Sequence, residues 1–133
     1  MTRKQAREQA FILIFEKEIS KHTVAEVLEI TAQIGEPVEE PYILQVFSGV
    51  FENLEEIDSS ISLHLTGWTL QRLSKVALSL LRLAVYEMKC MADIPISVSI
   101  NEAVDLCKTY ATQEDASYLN GVLGSFAKTL EQK

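Results

Sequence analysis

The chain has 133 residues, of which 47% are hydrophobic, with 3 Pro and 5 Gly, and this composition is typical of one folded domain rather than a disordered chain. The formal net charge of −7 argues against a nucleic-acid-binding protein of the kind that uses a broad basic patch. The longest apolar run, residues 10–15, is too short to span a membrane and lacks a signal-peptide cleavage site, so we expect a cytoplasmic protein without membrane association.

The first predicted helix covers residues 2–19, with Thr2 as its cap, and its first two turns carry the basic residues Arg3, Lys4 and Arg7. Positive charges at a helix N-terminus oppose the helix dipole, and a bound anion would relieve that cost. The cluster therefore favours contact with an anionic ligand. It is also consistent with a frayed, solvated terminus whose charges are incidental, and both interpretations stay open.

Two more helices are predicted before residue 54. Thr23 followed by Glu26 is a capping box that starts the second helix, and Pro37, just after a glycine, marks its end. The third helix starts at about Tyr42. On this helix, Gly49 is expected to let a neighbouring helix approach closely.

A fourth helix over about residues 54–65 leads to a short joint that contains Trp68, which we expect either in the core or at the joint between two subdomains. Ser74 then caps the longest helix, from residue 75 to about residue 91. This helix is apolar on most sides, which is typical of the central helix of a bundle.

Arg82 lies within the long central helix. In such surroundings an arginine is more often held in a structural ion pair than used to bind a ligand. Glu87 and Glu102 are the candidate partners.

Two further amphipathic helices are predicted near the end of the chain. Ser99 followed by Glu102 has the spacing of a capping box, which predicts that a helix starts there and continues to Tyr110. Thr112 with Asp115 repeats the same pattern and starts the last helix. All the predicted elements are helical, so we expect an all-α fold.

The sequence shows no signature of catalysis, of a cofactor site or of a metal site. There is no nucleophile with an adjacent base and no phosphate-binding glycine loop, and the histidines and cysteines lack metal-ligand spacing. Cys90 and Cys107 are expected as buried, reduced thiols. Gly121 and Gly124 lie inside the last predicted helix, where they indicate tight packing or a contact surface. We therefore do not expect an enzyme.

Four motifs, in this order and at these spacings, resemble the NusB family of bacterial transcription antitermination factors. They are Leu-Arg-Leu-Ala-Val-Tyr-Glu at residues 81–87, Ile-Pro at 94–95, Ser-Ile-Asn-Glu-Ala at 99–103, and Tyr-Leu-Asn-Gly-Val-Leu at 118–123. The resemblance covers essentially the whole chain and is densest from His64 onward. It implies a bundle of about seven helices in two subdomains: a three-helix subdomain over residues 1–53, and residues 54–133 arranged around the long central helix.

The resemblance also implies a function. Members of the family bind the boxA element of ribosomal RNA operon transcripts together with NusE, a ribosomal protein, within the RNA polymerase antitermination complex. The RNA-binding positions of the family fall on six residues of this sequence: Arg3, Lys4, Arg7, Phe15, Tyr118 and Asn120. Phe15 is equally a candidate core ring, and Gln5 and Ser117 stand where the family often has a basic residue.

The NusE-binding surface of the family falls on a second set of residues: His64, Leu65, Trp68, Arg72, Lys75 and Ala77. Ala77 replaces a usual acidic residue, and Leu78 and Ser79 replace a polar pair. This departure leaves open an alternative in which extra apolar surface serves a protein partner or a homodimer, and the chain is a diverged helical adaptor that does not bind boxA.

Overall fold

Seven α-helices follow one another in the computed structural model, which describes residues 1–131. They are α1 (Arg3–Ser20), α2 (Val24–Gln33), α3 (Pro41–Glu52), α4 (Leu54–Ser62), α5 (Lys75–Cys90), α6 (Ile96–Tyr110) and α7 (Gln113–Glu131), with a short 3-10 turn at Leu70–Arg72 between α4 and α5. The predicted all-α fold of about seven helices is confirmed. Within the described part of the chain, no helix is long and apolar enough to cross a membrane.

Four of the helices start at the caps that the sequence predicts. In each case a side-chain oxygen accepts a hydrogen bond from a backbone N–H three residues later, which satisfies one of the donors that the first turn leaves free. The pairs are Thr2 with Gln5, Thr23 with Glu26, Ser74 with Ala77, and Thr112 with Asp115, at 3.0–3.1 Å. These helix starts are therefore determined by local sequence.

Helix α6 starts one turn earlier than predicted, at Ile96 after Pro95. Ser99 is not a cap but a fully buried residue inside the helix, and its hydroxyl donates to Oε1 of Glu87 at 2.7 Å. The predicted capping box is wrong because a buried carboxylate on α5 gives this hydroxyl a stronger partner than a backbone N–H. Helix α4 is likewise shorter than predicted, since it ends at Ser62 and leaves Leu63 83% exposed.

Helix α5 forms the centre of the core. Every residue from Ala77 to Met88 is buried, and α1, α3, α4, α6 and α7 all pack against α5. The expected close approach at Gly49 is confirmed, because a Cβ there would lie 2.5 Å from Cζ of Tyr86 on α5. Helix α3 can therefore contact α5 at this point only without a side chain. The predicted division into subdomains at residue 53 stays a prediction.

Arg82 pairs with two acidic residues that the sequence analysis did not consider. Its Nε and Nη2 each donate to the carboxylate of Asp58 at 2.9 Å, and Nη1 lies 3.4 Å from Oε1 of Glu18 without forming a hydrogen bond. The predicted partners Glu87 and Glu102 are wrong. Residues five apart on a helix point in directions about 140° apart. Arg82 and Glu87 therefore point to opposite sides of α5.

The two cysteines are both free but differ in burial. Cys107 is buried, as predicted, and burial raises the pKa of its thiol to about 11. Cys90 is exposed, and the prediction that its thiol is buried is therefore wrong. It is the last residue of α5, where the helix leaves the core.

Candidate functional site

Arg3 and Lys4 are exposed cations on the first turn of α1. The guanidinium of Arg3 lies over the ring of Tyr42, 4.5 Å from its centroid. Nζ of Lys4, on a side chain that is 69% exposed, lies 3.1 Å from Oε2 of Glu102 on α6. A surface ion pair of this kind contributes little to stability, about 0–1 kcal/mol, so it can be exchanged for another anion at low cost.

Arg7 does not share this exposed surface. Its side chain is 3% exposed, and its Nε donates to Oε2 of Glu87 at 2.8 Å. Burial alone would lower the pKa of Arg7, but the hydrogen bond and charge of Glu87 outweigh that effect and raise it. Arg7 precedes the buried Ala10 by three residues and Ile14 by seven, and this helical spacing is the signal that places it on the core side of α1.

A contact that the sequence analysis missed joins α1 to the end of α6. The hydroxyl of Tyr110 donates to Oε2 of Glu8 at 2.7 Å, and this hydrogen bond raises the pKa of Tyr110. The Tyr110 ring lies 5.1 Å from that of Phe11 and remains 43% exposed. With Lys4 and Glu102, these residues form what we call the α1–α6 edge.

Tyr118 holds the loop after α4 against α7. Its hydroxyl accepts a hydrogen bond from the Thr66 N–H at 3.0 Å and donates to the Thr66 carbonyl at 3.2 Å. Its half-buried ring lies 6.4 Å from that of Trp68. Trp68 is 52% exposed, so it lies at the joint and not in the core, the two locations that the sequence left open.

Trp68 and Tyr118 also border a cavity of about 330 Å³, which lies between the α4–α5 connection, the start of α5 and the start of α7. Four of the predicted site residues line this joint cavity: Trp68, Arg72, Ala77 and Tyr118. Its other walls include Glu114 and Asp115 from the first turn of α7. The cavity is therefore lined by an exposed aromatic ring, a cation and two carboxylates.

The remaining residues of the predicted protein-binding surface flank the joint cavity. His64 is half-buried, with Nδ1 2.7 Å from Oγ of Ser125 and its ring 5.9 Å from that of Phe126. Leu65 is half-buried, and Lys75 is exposed at the start of α5, 3.9 Å from Glu18. Only an exposed or half-exposed side chain can contact a partner, and these three meet that condition.

Ala77, Leu78 and Ser79 do not create extra apolar surface. These three residues are 5%, 3% and 0% exposed, respectively, and the Ser79 hydroxyl donates a hydrogen bond to the Lys75 carbonyl at 2.7 Å. The expectation of a new apolar contact surface is therefore wrong, because these positions face the core rather than solvent.

Phe15 and Asn120 lie in different surroundings. Phe15 is half-buried, its ring lies 6.3 Å from that of Phe11, and it borders a groove between α1 and α2. Asn120 is exposed on α7. Gly121 and Gly124 beside it have open space where a Cβ would lie, so they do not mark tight helix packing. The exposed predicted RNA contacts thus fall in two places: Arg3 and Lys4 lie at the start of α1, and Tyr118 and Asn120 lie on α7. Phe15 lies apart from both, at the groove between α1 and α2.

Comparisons with known proteins give consistent results. The NusB family model matches residues 4–128. The transcription antitermination protein NusB of Acetivibrio thermocellus is 47% identical over 131 residues, covering 96% of this chain and 90% of the relative, and that of Clostridium novyi is 41% identical, covering 96% and 99%.

Solved structures are similar over the same length. T. maritima NusB is 34% identical with a TM-score of 0.85, covering 96% of this chain and 92% of the other. A chain in the crystal structure of antitermination factors NusB and NusE in complex with double-stranded RNA is 26% identical with a TM-score of 0.84, covering 97% and 99%.

Proposed function

The chain belongs to the NusB family, and from that membership we propose that it binds RNA together with NusE as a transcription antitermination factor. The observation that carries the proposal is the likeness, over 97% of this chain, to a chain from the complex of NusB and NusE with double-stranded RNA. In this role the RNA is the boxA element of ribosomal RNA operon transcripts, and the assembly includes RNA polymerase. The protein acts in the cytoplasm and catalyses no reaction.

The RNA-binding surface in this proposal begins with Arg3 and Lys4. Both side chains are exposed, and the Lys4–Glu102 pair is exchangeable for a phosphate contact that releases counterions from the RNA. The N-terminus of α1 adds a favourable field for phosphate. Arg7 acts indirectly, because its buried pair with Glu87 fixes the turn that presents Arg3 and Lys4.

Aromatic and amide groups on α7 extend this surface. The exposed amide of Asn120 can hydrogen-bond to a base edge, and the half-exposed ring of Tyr118 can stack on an unpaired base. Phe15 remains a predicted contact that rests on the family resemblance alone. Because Gln5 and Ser117 are uncharged, we expect a small number of phosphate contacts and a correspondingly modest salt dependence.

The NusE-binding surface in this proposal is the joint cavity with its flanking residues. Trp68 is half exposed beside Arg72, and tryptophan and arginine are the residue types that most often carry binding energy at protein interfaces. Ala77 forms part of the cavity wall, and His64, Leu65 and Lys75 flank it. The self-associating adaptor lacks support, since Ala77 and Leu78 are buried.

The test is a titration of labelled boxA RNA with the native protein and with an Arg3→Ala/Lys4→Ala double variant, each with and without NusE. We expect the native protein to bind more tightly when NusE is present, and the double variant to bind more weakly with a salt slope lower by about 2. Lys21→Gln, at the exposed far end of α1, is the matched control and should bind normally. If native protein binds neither RNA nor NusE at low salt, the proposal fails.

A further inference from the structure

A groove follows most of the length of α1. It lies between α1 and α2 at the end near Ile19, and between α1 and the α2–α3 connection at the end near Met1. Two adjoining cavities, of about 580 and 480 Å³, form it. Their walls share four residues: Gln9, Leu13, Thr31 and Glu36. One cavity extends to Met1 and the other to Ile19, so the two form one continuous feature, which we call the α1–α2 groove.

The floor of the α1–α2 groove exposes apolar side chains from both helices. Ile19 on α1 is 54% exposed, and Ile30 and Ile34 at the end of α2 are 43% and 70% exposed. Single exposed isoleucines are common on protein surfaces, but three that line one groove form a contiguous apolar patch. Contiguous patches of this kind mark sites of contact with another molecule.

The rim of the groove is acidic. Glu16, Glu36, Glu39 and Glu40 line it, and residues 22–71 contain nine Asp and Glu but no Lys or Arg. This charge repels the phosphates of RNA and attracts a cationic partner. An apolar floor with an acidic rim therefore complements a ligand that has an apolar side and a positively charged side.

The length of the groove matches a helix. The 18 residues of α1 extend over about 27 Å at the helical rise, which is the length of a helix of about five turns. Amphipathic helices bind in grooves of this kind through apolar residues at i, i+3, i+4 and i+7. An extended strand would find no open sheet edge to pair with, because the described residues contain no strand.

We propose that the α1–α2 groove binds a basic amphipathic helix from a protein partner. The apolar side of that helix packs on Ile19, Ile30 and Ile34, and its cations lie against the glutamates of the rim. The groove is separate from the α1–α6 edge and from the joint cavity. Phe15 lines the groove and is also a predicted RNA contact, but Arg3, Lys4, Tyr118 and the joint cavity lie outside the groove. Binding in the groove can therefore occur alongside the RNA contacts of Arg3 and Lys4 and the contact with NusE.

The probe for this proposal is a fluorescein-labelled peptide of about 18 residues, which matches the length of α1. Leucines form one side of the peptide helix and lysines the other. Two reference peptides accompany it, one with the same composition in shuffled order and one with glutamate in place of every lysine. In anisotropy titrations we expect each reference peptide to bind at least about tenfold more weakly than the probe, since a specific site discriminates on both shape and charge.

Variants of the protein locate the site. Ile30→Ser/Ile34→Ser should weaken probe binding by about tenfold or more, because it removes the apolar floor. Leu63→Ser is the matched control, since Leu63 is 83% exposed and lies outside the groove, and it should bind the probe normally. Thermal unfolding of each variant checks the fold, which substitutions at such exposed positions should leave unchanged.

Charge variants test the rim in the same assay. Glu16→Gln/Glu36→Gln should weaken probe binding and reduce its salt dependence, whereas Glu55→Gln on α4 should do neither. Equal binding of the shuffled peptide, or normal binding by the Ile30→Ser/Ile34→Ser variant, would overturn the proposal.

Two further results decide which molecule occupies the groove and whether the groove acts independently of the RNA-binding surface. A native dimer in light scattering that becomes a monomer on Ile30→Ser/Ile34→Ser would also overturn the proposal, since the groove would then bind a second copy of this chain. Loss of RNA binding in Arg3→Ala/Lys4→Ala with normal probe binding would support two independent surfaces.

Discussion

The guanidinium of Arg7 lies 2.8 Å from the carboxylate of Glu87, and both side chains are buried although 80 residues separate them in sequence. Tyr42 and Ser99 also donate hydrogen bonds to this carboxylate, so four helices, α1, α3, α5 and α6, meet at one anion. The first turns of α1, which carry the exposed Arg3 and Lys4, are thus attached to the centre of the core.

Replacing Arg7 should destabilise the protein strongly. Arg7→Met keeps much of the side-chain volume but leaves Glu87 buried without a counter-charge, which typically costs about 3–5 kcal/mol. Urea unfolding measures the change in free energy. The exposed Arg72→Met is the control and should change it by less than about 0.5 kcal/mol.

A double variant distinguishes charge burial from lost packing. If the unpaired carboxylate causes the loss, Arg7→Met/Glu87→Gln should be more stable than Arg7→Met alone, because the neutral amide is cheaper to bury. Equal or lower stability of the double variant would show that packing around Arg7 matters more than its charge.

Arg82 and Lys89, both on α5, should differ sharply in their contribution to stability. Arg82→Lys loses the paired hydrogen bonds to Asp58, and we expect a cost of about 1–3 kcal/mol. Lys89 pairs with Glu56 nearer the surface, so Lys89→Met should cost less than about 1 kcal/mol. Comparable losses in urea unfolding would contradict the assignment of Arg82 to a structural pair.

Local signals explain which parts of the fold were predictable. Thr2, Thr23, Ser74 and Thr112 bond within three residues, so their sequence surroundings alone indicate four helix starts. Ser99 has the same local signature, but its partner is Glu87 on another helix. Tertiary packing decides whether Ser99 caps a helix or bonds to Glu87, and the local sequence pattern does not predict which.

The same distinction applies to the candidate site. Arg3 and Lys4 lie on the first turn of α1, at the very end of the helix, so their exposure follows from position. Arg7 has the same charge, but its burial becomes clear only from its register with Ala10 and Ile14. The partner of Arg82 is Asp58 on α4, so it depends on where α4 packs against α5. The spacing of residues within α5 does not specify that packing.

Stability should fall in acid partly through Glu18. Burial alone would raise the pKa of Glu18, but the charges of Arg82, Lys21 and Lys75 hold it below its ordinary value. A carboxyl whose pKa is lowered by folding stabilises the folded state above its unfolded pKa, and that contribution is lost as pH falls through the folded value.

We therefore measure the free energy of unfolding from neutral pH to about pH 3. It should fall less steeply for Glu18→Gln than for the native protein, and the two curves should differ in slope at pH values below the ordinary glutamate pKa of about 4.3. Glu55→Gln, on the exposed surface of α4, should follow the native curve. Parallel curves for native protein and Glu18→Gln would rule out this linkage.

The two cysteines should react with a thiol reagent at very different rates. Cys90 is exposed, whereas Cys107 is buried and its pKa is raised to about 11, so little reactive thiolate is available. With Ellman's reagent at mildly alkaline pH we expect one fast thiol, and a second only on unfolding in urea. Cys90→Ser should remove the fast phase, and a fast phase that persists would contradict the assignment.

Trp68 should contribute strongly to NusE binding and little to stability. Its side chain is half exposed at the joint cavity, so Trp68→Ala removes a large contact surface without opening the core. A central tryptophan of an interface typically contributes about 2 kcal/mol or more, which corresponds to a loss of roughly 30-fold in affinity. Isothermal titration of NusE into each variant measures the loss, with Val98→Ala, at a 38% exposed position on α6, as the control. Normal NusE binding by Trp68→Ala, or an equal loss with Val98→Ala, would remove the joint cavity from the proposed interface while leaving the RNA-binding surface at Arg3 and Lys4 untouched.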